Sequence, residues 1–230
     1  NLSGLTDLLY SLFAIIVALL IGAVLIELSG YSVVEAYTTL FNGAFGSTYN
    51  FAQTLVKTIP LIFTGLAVAI GFQSGLLNIG AEGQLYWGAF FTAIIVLAVP
   101  NLPAILLVPL GILVGALAGG IWGAVPGYLK AKTGAHEVVT TIMFNYIATL
   151  GTTFLIKNYF KKAGPVDQTA TIPEAAQLPE LIPHSKLTWA IFIAIIVVFV
   201  INFLLKKTSL GYDIKAVGQN ASAAEYGGIN

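Results

Sequence analysis

Residues 104–129 read AILLVPLGILVGALAGGIWGAVPGYL, a stretch without one charged side chain. A helix needs about 20 predominantly apolar residues to cross a hydrocarbon core about 30 Å thick, and this run exceeds that. Gly111, Gly115, Gly119, Gly123 and Gly127 recur at every fourth position, so one face of the helix is bare backbone. Helices in lipid associate through such small-residue faces, because apolar side chains gain little by leaving lipid for each other. The stretch therefore reads as a membrane span packed tightly inside a helix bundle.

Working outward, five more runs meet or approach the same criterion. Leu8–Leu28 closes with Glu27 and Gly30 at the interface, and Gln53–Phe72 carries Lys57 and Pro60 near its start. Leu85–Val99 is closed by Pro100 and Pro103, Val138–Ile156 follows Lys132, and Leu187–Leu205 ends at Lys206 and Lys207. The loop between the last two holds Pro165, Pro173, Pro179 and Pro183, too many prolines for a continuous helix. The expected fold is an all-α polytopic transmembrane bundle with about six spans. Lys130, Lys132, Lys206, Lys207 and Lys215 fall on one side, which the positive-inside rule makes cytoplasmic, with the proline-rich loop outside.

Composition agrees and excludes other classes. Only 9% of the residues are charged and 57% are hydrophobic, against about 25% charged in a soluble domain. There is no cysteine, so disulfide and thiolate chemistry are absent. His136 and His184 lie in no metal-ligand spacing, and neither a metal nor a cofactor is expected. The basic residues are all lysines, lacking the arginine fork that recognises phosphate bidentately; nucleic acid is not an expected partner. No phosphate-binding Gly-x-x-x-x-Gly-Lys-[Ser/Thr] loop occurs, so the chain does not hydrolyse nucleotide by that route. The chain starts at Asn1 and stops at Asn230 in a polar stretch, which reads as truncation at both ends of a longer transmembrane domain.

Leu85–Val99 would reach only about 22 Å as a helix, which draws part of the preceding Gln73–Gln84 stretch to membrane depth. That stretch interleaves Gly75, Gly80 and Gly83 with Asn78, Glu82 and Gln84. It is either a short cytoplasmic loop or a broken, re-entrant segment lining a solute path. Irregular backbone survives at membrane depth only where protein or a water-filled cavity satisfies it. Glu82 stands out, since an intramembrane carboxyl points to function by default; bracing the break is its structural role. Asn145, inside the fifth span, either bridges helices or meets solute. The pair His136–Glu137 has no nucleophile or metal cluster beside it and reads as a helix start.

Residues 208–230 form a polar tail rich in small residues: Gly211, Gly218, Ala223, Ala224, Gly227 and Gly228. It is either a linker to a further span or a short cytoplasmic helix smooth enough to dock on a partner.

Three motifs in order carry a resemblance: Asn78-Ile-Gly-Ala-Glu-Gly-Gln84, Gly134-Ala-His-Glu-Val-Val-Thr-Thr-Ile-Met-Phe-Asn-Tyr146, and the tail Gly211–Asn230. They resemble the ABC importer permeases for nucleosides and simple sugars, within the wider group of ribose and branched-chain amino-acid permeases, from about Gln53 onward. Position 136 departs from the pattern, with His where Asn is expected. The resemblance implies a multi-pass subunit of the bacterial cell membrane that catalyses no covalent chemistry. It implies three partners: a cytoplasmic ATP-binding subunit, a second permease forming a heterodimer, and an extracellular solute-binding lipoprotein. It assigns Asn78, Glu82 and Gln84 to the translocation path, and the tail to coupling with the ATPase. The resulting expectation is ATP-driven import of a nucleoside or related small polar solute by alternating access. The alternative is an ion-coupled secondary transporter with Glu82 as the titrating group.

Overall fold

The computed structural model describes residues 2–229, with no side-chain description for residues 2–5 and 7. Among them are nine α-helices, six of which are long and apolar enough to cross a membrane. The chain divides into two compact units, residues 1–54 and 55–230.

In the first unit, α1 (Leu2–Leu28) ends in a turn at Gly30, whose φ is +81°. The helix α2 (Val33–Phe45) follows, with Ser32 Oγ accepting from Glu35 N–H as its N-cap. The Tyr37 hydroxyl donates to the Leu19 carbonyl and ties α2 to α1. The first turns of α3 (Thr48–Gln73) fall in this unit, where Asn50 Nδ2 donates to the Asn42 carbonyl at 2.8 Å.

The second unit takes in the rest of α3, then α4 (Ala81–Ala98), α5 (Ala104–Thr133) and α6 (Glu137–Leu155). A π-helical turn over Ile156–Phe160 ends the fifth span. In the loop that follows, Lys161 Nζ meets Asp167 at 2.5 Å and holds this exposed carboxyl below its usual range. The chain re-enters through α7 (Ala190–Lys207), then turns into α8 (Ser209–Gln219) and α9 (Ala221–Tyr226).

The glycine face of α5 is its contact with α4. A Cβ at Gly88 of α4 would stand 2.8 Å from the Gly115 carbonyl oxygen, and one at Gly119 3.0 Å from that of Gln84. The two backbones touch there, and Thr92 Oγ1 donates across to the Gly111 carbonyl at 3.0 Å. On the other side, Trp87 of α4 stacks on Trp122 of α5, ring centroids 4.3 Å apart, with Phe144 of α6 against Trp122. Most large apolar side chains of the spans face outward, with Leu61, Ile121, Leu150 and Phe199 all at least 66% exposed, as lipid requires.

Several boundaries differ from the sequence expectation. The third span begins at Ala81 rather than Leu85, so at about 1.5 Å per residue it gains about 6 Å and nearly crosses unaided. Glu82 and Gln84 are therefore helical, and the irregular segment shrinks to residues 74–80. The second span starts at Thr48, and the sixth at Ala190 because Thr188 is held in a β-bridge to Glu180. The helix α2 was not expected at all.

Candidate functional site

The break at residues 74–80 is held from three sides. Gly75 turns the chain with φ +74°, a conformation that glycine adopts without penalty. Asn78 Oδ1 accepts from Gly80 N–H at 3.0 Å, which closes the last turn before α4. From α6, Asn145 spans the restart of the helix: its Nδ2 donates to the Ile79 carbonyl at 2.9 Å, and its Oδ1 accepts from Gly83 N–H at 2.8 Å. An orphan carbonyl before the helix and an orphan N–H in its first turn are thus satisfied by one amide. Gly83 has no space for a side chain, since a Cβ would sit 2.8 Å from Asn145 Oδ1.

The third support is α8. Gly75 and Gly218 meet backbone to backbone: a Cβ on Gly75 would lie 3.0 Å from the Gly218 carbonyl oxygen, and one on Gly218 would collide with the Gln73 carbonyl. At the start of α8, Thr208 Oγ1 caps Gly211 N–H at 3.2 Å, and Gly211 is buried against the backbone of Leu204 and Leu205. Asn220 Oδ1 caps Ala223 N–H at 3.0 Å to start α9, and Ala224 is 6% exposed. Gly227 and Gly228 end that helix, the latter with φ +83°.

Above the break lies a cavity of about 350 Å³. Residues 76–78 form one wall, and Gly119, Gly120, Gly123, Pro126 and Gly127 of α5 form another. Gln84 and Thr141 supply polar groups from α4 and α6. Gln84 Nε2 donates to Asn78 Oδ1 at 3.3 Å. At the rim Lys130, in the last turn of α5, meets Glu137, in the first turn of α6, at 2.8 Å. The left-handed Gly134 (φ +68°) reverses the chain between them, and each charge sits at the helix end whose dipole favours it.

The structure thus brings Asn78 and Gln84 together in one cavity and separates Glu82 from both. Two positions along a helix rotate a side chain by about 200°, so Glu82 is exposed on the far side of α4. It lines a second groove there with Pro60, Leu61, Thr64, Leu85 and Tyr86. Asn145 touches the backbone of the break and is not among the cavity-lining residues. In the tail, Gly211, Gly218 and Ala224 are turned into the chain while Ala223 and Tyr226 are exposed, so the small residues do not form one outward docking face. The Lys130–Glu137 pair went unread in the sequence. The signal was Gly134 between a basic helix end and an acidic helix start.

The family model for the permease component of branched-chain amino acid transport systems matches residues 50–230. The chain belongs to that family. Among curated proteins, the guanosine ABC transporter permease protein NupP of Bacillus subtilis is 39% identical over 98% of this chain. The nucleoside ABC transporter permease protein NupB of Lactococcus lactis is 37% identical over 96%. A glucose ABC transporter permease of Haloferax volcanii is 31% identical over 94%. The chain spans 66%, 64% and 60% of the length of these three relatives, a little under two thirds. No solved structure matches it. Family membership and the six apolar helices make this permease a multi-pass protein of the bacterial plasma membrane. They give no support to the ion-coupled alternative.

Proposed function

We propose that this permease is the membrane subunit of an ATP-driven importer for nucleosides or a closely related small polar solute, working by alternating access. The observation that carries the reading is the joint between α8 and the break: the tail rests on Gly75, one residue from the wall of the cavity. A displacement of α8 reaches the cavity wall through backbone alone. The names of the two relatives at 39% and 37% identity, a guanosine and a nucleoside permease, are what favour a nucleoside over other polar solutes.

In this reading residues 1–230 belong to one permease domain, and residues 208–230 are its cytoplasmic coupling segment. A separate ATP-binding subunit engages the exposed side of α8 and α9, a second permease completes the path, and an extracellular solute-binding lipoprotein delivers the solute. ATP binding closes the ATPases, α8 moves, and the bundle changes the side to which its cavity opens. Asn78 and Gln84 face the passing solute, whereas Asn145 positions the break. This chain carries out no covalent step.

The test is a tagged pull-down of the full-length protein from native membranes in mild detergent, with mass spectrometry of what accompanies it. A co-purifying subunit bearing a phosphate-binding loop supports the reading. Recovery of the protein alone, or only with itself, overturns it.

A further inference from the structure

We propose that Asn78 and Gln84 form a recognition pair for the hydrogen-bonding edge of a flat, neutral heterocycle, the edge on which a nucleobase carries a donor beside an acceptor. The proposal rests on the reading that the cavity above the break lies on the solute path.

The hydrogen bonds fix how both amides point. Gly80 N–H donates to Asn78 Oδ1, so that oxygen is committed and Nδ2 is the end left over. Gln84 Nε2 donates to the same oxygen; the reverse orientation would set two carbonyl oxygens against each other. That leaves Gln84 Oε1 as an acceptor and Asn78 Nδ2 as a donor, on two hydrogen-bonded amides whose residues both line the cavity. Neither forms a hydrogen bond among the described residues, and neither is buried without a partner. One donor and one acceptor offered by neighbouring amides are the complement of the lactam edge of guanine or uracil, where a ring N–H stands next to a carbonyl.

The surroundings select for shape and charge. Across from the amides, a Cβ built on Gly120 or Gly127 would meet nothing within 4 Å, so α5 presents a smooth wall open to a planar ring. The cavity volume of about 350 Å³ falls within the range of about 300–1,000 Å³ typical of small-molecule sites. Lys130 and Glu137 neutralise each other at the rim. A phosphorylated solute would have to break that pair to find a counter-charge.

The experiment measures ATP-driven uptake of labelled guanosine and uridine by vesicles carrying the complete transporter. Competitors are the unlabelled parents, 1-methylguanosine and 3-methyluridine, in which a methyl group blocks the ring N–H. Wild type and Asn78→Asp are compared; the substitution keeps the oxygen that caps Gly80 and deletes the donor. Any discrimination by a binding protein is common to both, so the change between them reports on this cavity. The expected result is roughly a tenfold loss of uptake in Asn78→Asp, with the preference for parent over methylated nucleoside reduced severalfold. An unchanged preference overturns the pair and leaves nucleoside transport standing, whereas failure of either nucleoside to enter overturns both. Should Asn78→Asp not assemble, Gly127→Leu decides. Its side chain projects into the cavity, and unchanged uptake in an assembled complex overturns the proposal.

Discussion

Asn145 shows how much one side chain can hold in a membrane protein. Both ends of its amide are used, on a carbonyl before α4 and an N–H within it. Replacing it with Ala leaves the exposed Ile79 carbonyl and the buried Gly83 N–H unpaired, and a buried group left unpaired costs about 1–3 kcal/mol. Asn145→Ala is expected to lower the thermal unfolding midpoint in detergent and to reduce uptake. Asn145→Asp, which keeps the acceptor for Gly83, is expected to lose less; equal losses would show that the donor to Ile79 matters alone. Glu82 makes the opposite case. It is exposed and lines a groove apart from the cavity, so Glu82→Gln is expected to leave uptake and its pH dependence unchanged. An uptake that loses its dependence on external pH in that variant would restore the gradient-driven alternative.

At the scale of elements, the α4–α5 contact depends on backbones that nearly touch. Gly88→Val forces a side chain against the Gly115 carbonyl, and overpacking of this kind costs about 1–3 kcal/mol. Lower recovery of folded protein after solubilisation is the expected readout. Gly218→Val on α8 is expected to act differently: its Cβ would strike the Gln73 carbonyl, so α8 lifts from the break. In the proposed importer the ATPase subunit still binds, but hydrolysis continues with uptake reduced at least severalfold. Unaltered uptake per ATP hydrolysed would deny the joint any part in coupling. The six spans were legible because a lipid-facing helix has little choice but to be apolar over about 20 residues. The glycine face of α5 was legible because its four-residue period survives in the sequence. The start of α4 was not, since Gly80 and Gly83 read as breakers, and the Asn145 that supports the helix at Gly83 lies 62 residues away. The close approach of Gly218 to Gln73 went unread because nothing local says that the two are neighbours. The helix α2 went unread because Tyr31–Ser47 mixes polar and apolar residues without the long apolar run of a span.

Across the whole molecule, orientation is the property most open to direct test. The chain has no cysteine, so single cysteines are clean reporters. A cysteine at Lys215 is expected to react with an impermeant maleimide only in inverted vesicles, and one at Gly164 only in intact cells. The reverse pattern would invert the topology and place the cavity rim at the outer surface. The joint between Gly75 and Gly218 also bears on how such a protein can change over generations. It is made of main-chain atoms, which every sequence shares, and it demands only that two positions stay small. Apart from Gly211, which is buried against Leu204 and Leu205, the exposed side of α8 is free to drift and to follow a diverging partner while the hinge beneath keeps its shape.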